Sequence, residues 1–406
     1  MNFYADYCLR ENPFPSTPIL DPTSLDEHIN GTIFDPEVMP TELKSFMNKI
    51  RRRPPLIYVE NSDFVRGVGK SALVVQQWRQ LRKQPELTST YIRSEKKLKP
   101  AEFAARFIAS WHQEGHLWPT VLKVLERYIK EQSKTEITLS GYEAFVEAFP
   151  TVPHNAVPLL NFMVYSPERL VSDLVAQACQ EAGDGLNVDL ARCFFQSYLT
   201  DPRTFLEAYR KTLRRQKWDT ITMLATVYRL MQLGGYQYHF VIMDQFEDVI
   251  HGLSGQSLIR FNTEFRRLIE ASIRYATLIV TLHPGATNTL SSDEGGDITS
   301  IAPLDQRHVV SVLTLTQQGA TRLAKTYIRH FRLPDSTQPD SLYPFTDDAI
   351  EEVYQAAKGN IRAFLQALNY AIEKGVDEGY PIIDGEFLTK YHSDITGKVH
   401  ADDIIL

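Results

Sequence analysis

The chain has 406 residues, of which 43% are hydrophobic and 23% charged, the balance of a soluble globular protein with room for two or three domains. A formal charge of −7 argues against a general nucleic-acid coat and leaves only local basic patches open for such contacts. Cys8, Cys179 and Cys193 show no metal-ligand spacing and fit a reducing cytoplasm, and no membrane-length apolar run or signal-peptide pattern is present.

Residues 1–40 are rich in proline and turn formers (NPFPSTPILDP, then FDPEVMP) and read as an extended arm anchored by Phe14, Ile19, Leu20 and Phe34. Such an arm either wraps the next domain or covers a nucleotide base. Leu43, Phe46, Met47 and Ile50 fall at helical spacing, and Pro54-Pro55 stops that helix after Arg51, Arg52 and Arg53. The triple arginine is either a solvated patch or a contact for nucleotide or nucleic acid.

Residues 56–73, LIYVENSDFVRGVGKSAL, organise the chain. Leu56 to Val59 read as a buried parallel strand, a glycine-containing loop follows, and Gly69-Lys70-Ser71 opens an apolar helix running to about Leu81. This is the strand–loop–helix context of a phosphate-binding P-loop. A helix N-terminus offers unpaired N–H groups and partial positive charge to an anion. The spacing therefore predicts that Gly67, Val68, Gly69, Lys70, Ser71 and Ala72 bind nucleotide phosphates, with Lys70 reaching the β- and γ-phosphates and Ser71 ligating magnesium. The full pattern asks for glycine where this chain has Phe64.

Residues 88–93 read as a second strand. The segment 100–234 is then almost wholly helical in pattern, interrupted by FPTVPHNAVP at 149–158. It exceeds an ordinary strand–helix connection and reads as a helical insertion. Its aromatic stripes are core packing. Within it, YRKTLRRQKW carries Arg210, Lys211, Arg214, Arg215 and Lys217, a basic face for DNA, for a partner protein or for solvent alone.

HFVIMDQ at 239–245 is an apolar strand ending in Asp244, a carboxylate placed to hold magnesium beside the phosphate loop. The next residue is Gln245, which can orient water but cannot take its proton, so Glu247 or Asp248 becomes the candidate base. An amphipathic helix over 257–273 carries Arg260, Arg266 and Arg267, with Arg274 just beyond. A strand over 277–282 ends at His283, a candidate γ-phosphate sensor. A polar loop covers 285–297, IAPL at 301–304 reads as the last strand, and helices follow over 314–331, 347–357 (capped by Thr346) and 359–374.

In this order the parts resemble the AAA+ P-loop ATPases, within them the bacterial branch that looks like origin-recognition ATPases, over roughly 1–95 and 235–395. The resemblance implies an α/β P-loop NTPase fold with a parallel sheet, a large all-helical insertion and a C-terminal helical lid. It implies Lys70 and Ser71 as the Walker A pair, Asp244 as the Walker B aspartate, His283 as sensor 1, and Arg362 of Gly359-Asn360-Ile361-Arg362 as sensor 2. Arg266, Arg267 and Arg274 are candidate arginine fingers. The DQFED run is also similar to the Walker B of STAND signalling ATPases. The expected division is an arm (1–40), a core (41–99 and 235–305), an insertion (100–234), a lid (306–395) and a tail (396–406).

The expected activity is binding and hydrolysis of ATP with Mg, in a homo-oligomer or hetero-complex formed through ATPase faces, with no membrane. By resemblance only, the setting is a DNA transaction such as mobile-element handling or anti-phage defence. The alternatives are a STAND-like switch controlling an effector and a non-hydrolysing P-loop scaffold.

Overall fold

The structure is a computed structural model that describes residues 3–17, 20–61, 67–132, 167–183, 185–251, 253–283, 286 and 296–395. Ile19, Phe64, the 149–158 break, most of the 285–297 loop and the 396–406 tail lie outside them.

Five parallel strands form one sheet in the order β2-β3-β4-β1-β5. They are β1 (Leu56–Glu60), β2 (Leu87–Arg93), β3 (Tyr238–Asp244), β4 (Ala276–Thr281) and β5 (Val309–Ser311). Every residue of β3 and β4 is buried, which is why these strands read as unbroken apolar runs: a parallel sheet is covered on both faces. Alternate residues divide between two cores, as the two-residue period of a strand dictates. Leu56, Tyr58, Val241, Met243, Leu278 and Val280 face one core, while Ile57, Val59, Phe240, Ile242 and Ile279 face the other.

The first core is shared with helices between β2 and β3: α3 (Pro100–Gln113), α4 (Trp118–Gln132), α5 (Pro167–Ala182), α6 (Val188–Thr200), α7 (Phe205–Gln216) and α8 (Thr220–Leu233). Phe103, Phe107, Trp111 and Tyr228 join the same cluster as the strands, so these helices are built onto the sheet itself. Between β3 and β4 lie a short turn of helix, α9 (Glu247–Ile250), and α10 (Gly255–Ser272). The second core takes α1 (Pro40–Arg52), α2 (Lys70–Arg82) and the C-terminal helices.

One expected strand is corrected. Residues 301–304 are a turn after the short helix α11 (Gly296–Thr299), and the fifth strand is Val309–Ser311, pairing Tyr58 with Val309. Pro303 has no N–H for a ladder. The Ala302 carbonyl instead accepts the Tyr58 hydroxyl at 2.8 Å. The sheet thus extends past residue 305, and the helices that follow begin with α12 (Gln317–His330), N-capped by the Thr316 side chain on Gly319 N at 3.1 Å. Next come α13 (Asp347–Ala357) and α14 (Ile361–Glu378). Thr346 precedes α13 without a side-chain cap; its hydroxyl donates to the Ile383 carbonyl at 3.3 Å.

The N-terminal arm is tied at both sides. Phe14 is buried against Tyr327 and Phe345. Asn12 Nδ2 donates to the Asn369 carbonyl (3.2 Å) and Glu373 (2.6 Å), and Asn369 Nδ2 donates to the Phe14 carbonyl (2.6 Å). On the sheet side, Gln76 donates to the Gly31 carbonyl and Arg79 to the Asn30 carbonyl.

Candidate functional site

Strands β3, β4 and β1 are neighbours, and their C-terminal ends deliver three chain segments to one place. This is where an open parallel sheet presents a ligand crevice. The loop after β1 reaches α2 through Gly67 (φ +85°) and Gly69 (φ +98°), left-handed conformations that favour glycine. Space matters as much as φ. A Cβ on Gly67 would lie 2.6 Å from Asn360 Oδ1, and one on Gly69 would lie 2.8 Å from Ile361 Cδ1. The loop is thus seated directly on the start of α14, where Asn360 caps the helix by accepting from Ala363 N and Arg362 N donates to the Gly67 carbonyl at 3.1 Å.

Asp244 ends β3 and is 2% exposed, so its carboxylate must be met by donors. Its Oδ1 accepts from the Ser71 hydroxyl at 3.0 Å and the Thr281 hydroxyl at 2.6 Å. Its Oδ2 accepts from the Tyr91 hydroxyl at 2.6 Å. The chain then turns sharply at Gln245 (φ +56°), whose N–H donates to Thr281 Oγ1 at 2.7 Å and whose Oε1 accepts from Arg93 Nε at 2.9 Å.

Glu247 opens the short helix α9, facing the same cleft as Lys70. Burial pushes its carboxyl up to about 7, helped by the charges of Asp244 and Asp248 and opposed by Lys70. Its Oε2 is buried with no hydrogen-bond partner among the described residues. A carboxyl at the edge of a cleft with its proton held near neutrality can exchange that proton there.

The cleft has a volume of about 240 Å³. Gly67, Val68, Gly69, Lys70, Ser71 and Ala72 form its floor, with Gln245, Glu247, Asp248, Thr281 and His283 at the strand ends. Ile361, Arg362, Leu365 and Tyr327 come from the C-terminal helices, and Pro15, Leu20, His28, Gly31 and Phe34 from the arm. Of the residues proposed from the sequence for the nucleotide site, Gly67 to Ala72, Gln245, Glu247, Asp248, His283 and Arg362 line this cleft, and Asp244 contacts it through Ser71. The Ser71 hydroxyl and Asp244 carboxylate are hard oxygen donors side by side, the chemistry that suits Mg, which keeps most of its own water.

Tyr91, Arg93 and Thr281 were not evident from the sequence. The register explains their arrival: Arg93 sits opposite Asp244, and Tyr91 two residues earlier shares its face. Elsewhere, Arg266 pairs with Glu270 at 3.0 Å and Arg267 with Asp219 at 2.8 Å, while Arg274 is exposed. On α7, Phe205, Tyr209 and Leu213 are buried, and Arg210, Lys211, Arg214 and Arg215 are exposed, as is Lys217 just after the helix. Lys211 is paired with Glu207 at 2.7 Å. None of the described helices is long and apolar enough to cross a membrane.

No protein-family model matches the chain, and no curated protein matches it. Among solved structures it is similar to Cdc6p from Pyrobaculum aerophilum, with TM-score 0.40 and 11% identity over 92% of this chain and 70% of that one. It is also similar to a Walker-type ATPase of Pyrococcus abyssi, with TM-score 0.36 and 14% identity over 88% of this chain and 71% of that one. Likeness at that level adds little to the chain's own geometry. The chain's own geometry is a parallel sheet with a glycine loop and lysine-bearing helix after its first strand, a buried aspartate at the end of β3 and helices laid over the strand ends, an α/β fold of the P-loop type.

Proposed function

We propose that the chain binds and hydrolyses Mg·ATP in this cleft. The observation that carries the reading is the meeting of Ser71 with Asp244 at 3.0 Å directly beneath Lys70, Glu247 and Arg362. The backbone N–H groups at the start of α2 and the Lys70 ammonium take phosphate oxygens. Ser71 and Asp244 hold magnesium, which when bound neutralises charge on the phosphates. Arg362 reaches the phosphates from the lid side, and His283 senses the terminal one. Gln245 orients a water. Glu247 takes the proton of that water as its oxygen bonds to the γ-phosphorus and the bond to the β-phosphate oxygen breaks, releasing ADP and phosphate. The apolar and aromatic arm residues that line the cleft cover the base.

Beyond the chemistry, the proposal includes assembly through ATPase faces, with Arg266, Arg267 or Arg274 supplied to a neighbour's site. It also includes contact between the α7 basic face and double-stranded DNA, in a transaction such as mobile-element handling or defence. A second reading, a slow nucleotide switch or a non-hydrolysing scaffold, is favoured by one observation: Arg93 holds the Gln245 amide oxygen, and Gln245 cannot accept a proton.

The test is ATP binding and steady-state hydrolysis with magnesium, with and without double-stranded DNA, for wild type and Lys70→Ala. Turnover abolished by Lys70→Ala supports an ATPase, and stimulation by DNA supports the wider role. Tight binding without turnover supports the switch. No ATP binding at all overturns the reading. Size-exclusion chromatography with and without ATP tests assembly.

A further inference from the structure

We propose that Tyr91 is a positioning residue for Asp244 and sets the affinity of the site for divalent cation; the proposal rests on the ATPase reading above. Asp244 has three hydroxyl donors, and they are not equivalent. Ser71 and Thr281 both donate to Oδ1, whereas Tyr91 donates to Oδ2 at 2.6 Å. Donors on a single oxygen leave the carboxylate able to swing about them. A donor on the second oxygen fixes the plane of the group.

Tyr91 is itself held in place. Its ring packs against Trp78 of α2, with centroids 5.7 Å apart. The Trp78 indole N–H donates to the Ser89 carbonyl on β2 at 2.9 Å, and the Ser89 hydroxyl returns a bond to the Trp78 carbonyl at 2.9 Å. The helix that carries Lys70 and Ser71 is thereby locked to the strand that carries Tyr91. When the Ser71 oxygen turns to a cation, Thr281 still holds Oδ1 and Tyr91 still holds Oδ2. The carboxylate does not reorganise between the two states. Groups that orient a metal ligand in this way are worth roughly 10- to 100-fold in metal affinity.

Tyr91→Phe keeps the ring on Trp78 and removes only the hydroxyl. The measurement is equilibrium binding of a fluorescent ATP analogue to the full chain, titrated with magnesium and repeated in EDTA, with Asp244→Asn as the reference. The expected result is a magnesium half-saturation raised about 10-fold in Tyr91→Phe, with binding in EDTA unchanged. Asp244→Asn loses the magnesium dependence altogether. If Tyr91→Phe titrates like wild type, or more tightly, the proposal is overturned while the ATPase reading stands. Equal losses with magnesium and in EDTA overturn it as well, because they mark a merely structural role. Wild-type binding with no magnesium response removes both.

Discussion

Ser71 and Asp244 stand 173 positions apart in the chain, and the hydroxyl of one donates to the carboxylate of the other at 3.0 Å. The contact exists because β4 alone separates β3 from β1, so the end of β3 and the loop that follows β1 open onto one crevice. It ties the N-terminal end of α2 to the C-terminal end of β3. Substitutions that disturb either member are therefore expected to be read at the other.

Gly69→Ala tests the seating of the loop. Its φ of +98° is costly for alanine, and the new methyl would lie 2.8 Å from Ile361 Cδ1. The expected loss is about 1–3 kcal/mol of stability, seen as a lower thermal midpoint, together with loss of ATP binding because Ile361 carries the start of α14. Retention of wild-type ATP affinity would contradict the role of the loop.

Glu247→Gln tests the proposed base. ATP binding is expected to persist while turnover falls about 10²- to 10⁴-fold. The pH dependence of kcat/KM, which reports the free enzyme, should rise as the carboxyl loses its proton near its value of about 7 and then level off. The Lys70 ammonium and the Asp244 and Asp248 carboxylates are the charged groups that move this midpoint. An unchanged rate in Glu247→Gln would shift attention to Gln245 or Asp248.

The same carboxyl affects stability, and the sign follows from its raised value. The folded state holds a proton that the unfolded chain releases near the ordinary value of 4.5, so its favourable contribution is complete below 4.5 and is lost as pH rises to about 7. Glu247→Gln is therefore expected to be more stable than wild type at pH 8, by on the order of 3 kcal/mol, and near neutral in effect at pH 4.5. Denaturant melts of the two proteins at both pH values give the comparison.

Asn369→Ala tests the arm. It removes the bond to the Phe14 carbonyl and leaves that carbonyl buried beside the arm's own aromatic anchor. The expected cost is about 1–3 kcal/mol, with a weaker hold on the adenine end of ATP because the arm forms that wall of the cleft. A tripolyphosphate competitor, which has no base, should bind the variant as it binds wild type.

Replacing Arg210, Arg214, Arg215 and Lys217 by Glu tests the α7 face. All four are exposed on a protein whose net charge is −7. Binding to double-stranded DNA should fall, and its salt dependence should flatten, while ATP binding stays as in wild type. Anisotropy titrations at two salt concentrations would show it.

Much of this architecture was legible because burial on both faces of a parallel sheet leaves apolar runs such as HFVIM and TLIV, and because glycine and Lys-Ser mark a helix start. The fifth strand was misplaced for the same reason: IAPL is as apolar as a strand, whereas the true strand is only three residues, Val309–Ser311, with Ser311 exposed. Tyr91 and Thr281 left no trace because a single hydroxyl within a strand forms no pattern. Their roles arise from register, and register is a property of two segments at once. Arg362 was named only through the resemblance of Gly359-Asn360-Ile361-Arg362 to a lid-helix start, and the structure shows that helix start, with Asn360 as its N-cap.

The walls of the cleft have a consequence for how the chain comes off the ribosome. His28 and Phe34 are made before Lys70 and Ser71, and Arg362 and Leu365 long after both. A nascent chain carries the glycine loop long before the other walls of the cleft exist. Its glycines wait for Asn360 and Ile361 to arrive, and the Phe14 carbonyl for the side-chain N–H of Asn369. A nucleotide bound as proposed would bridge the arm at His28 and Phe34 to the helix carrying Arg362 and Leu365. At a concentration 100 times its dissociation constant it would add about 2.7 kcal/mol to the stability of the whole chain.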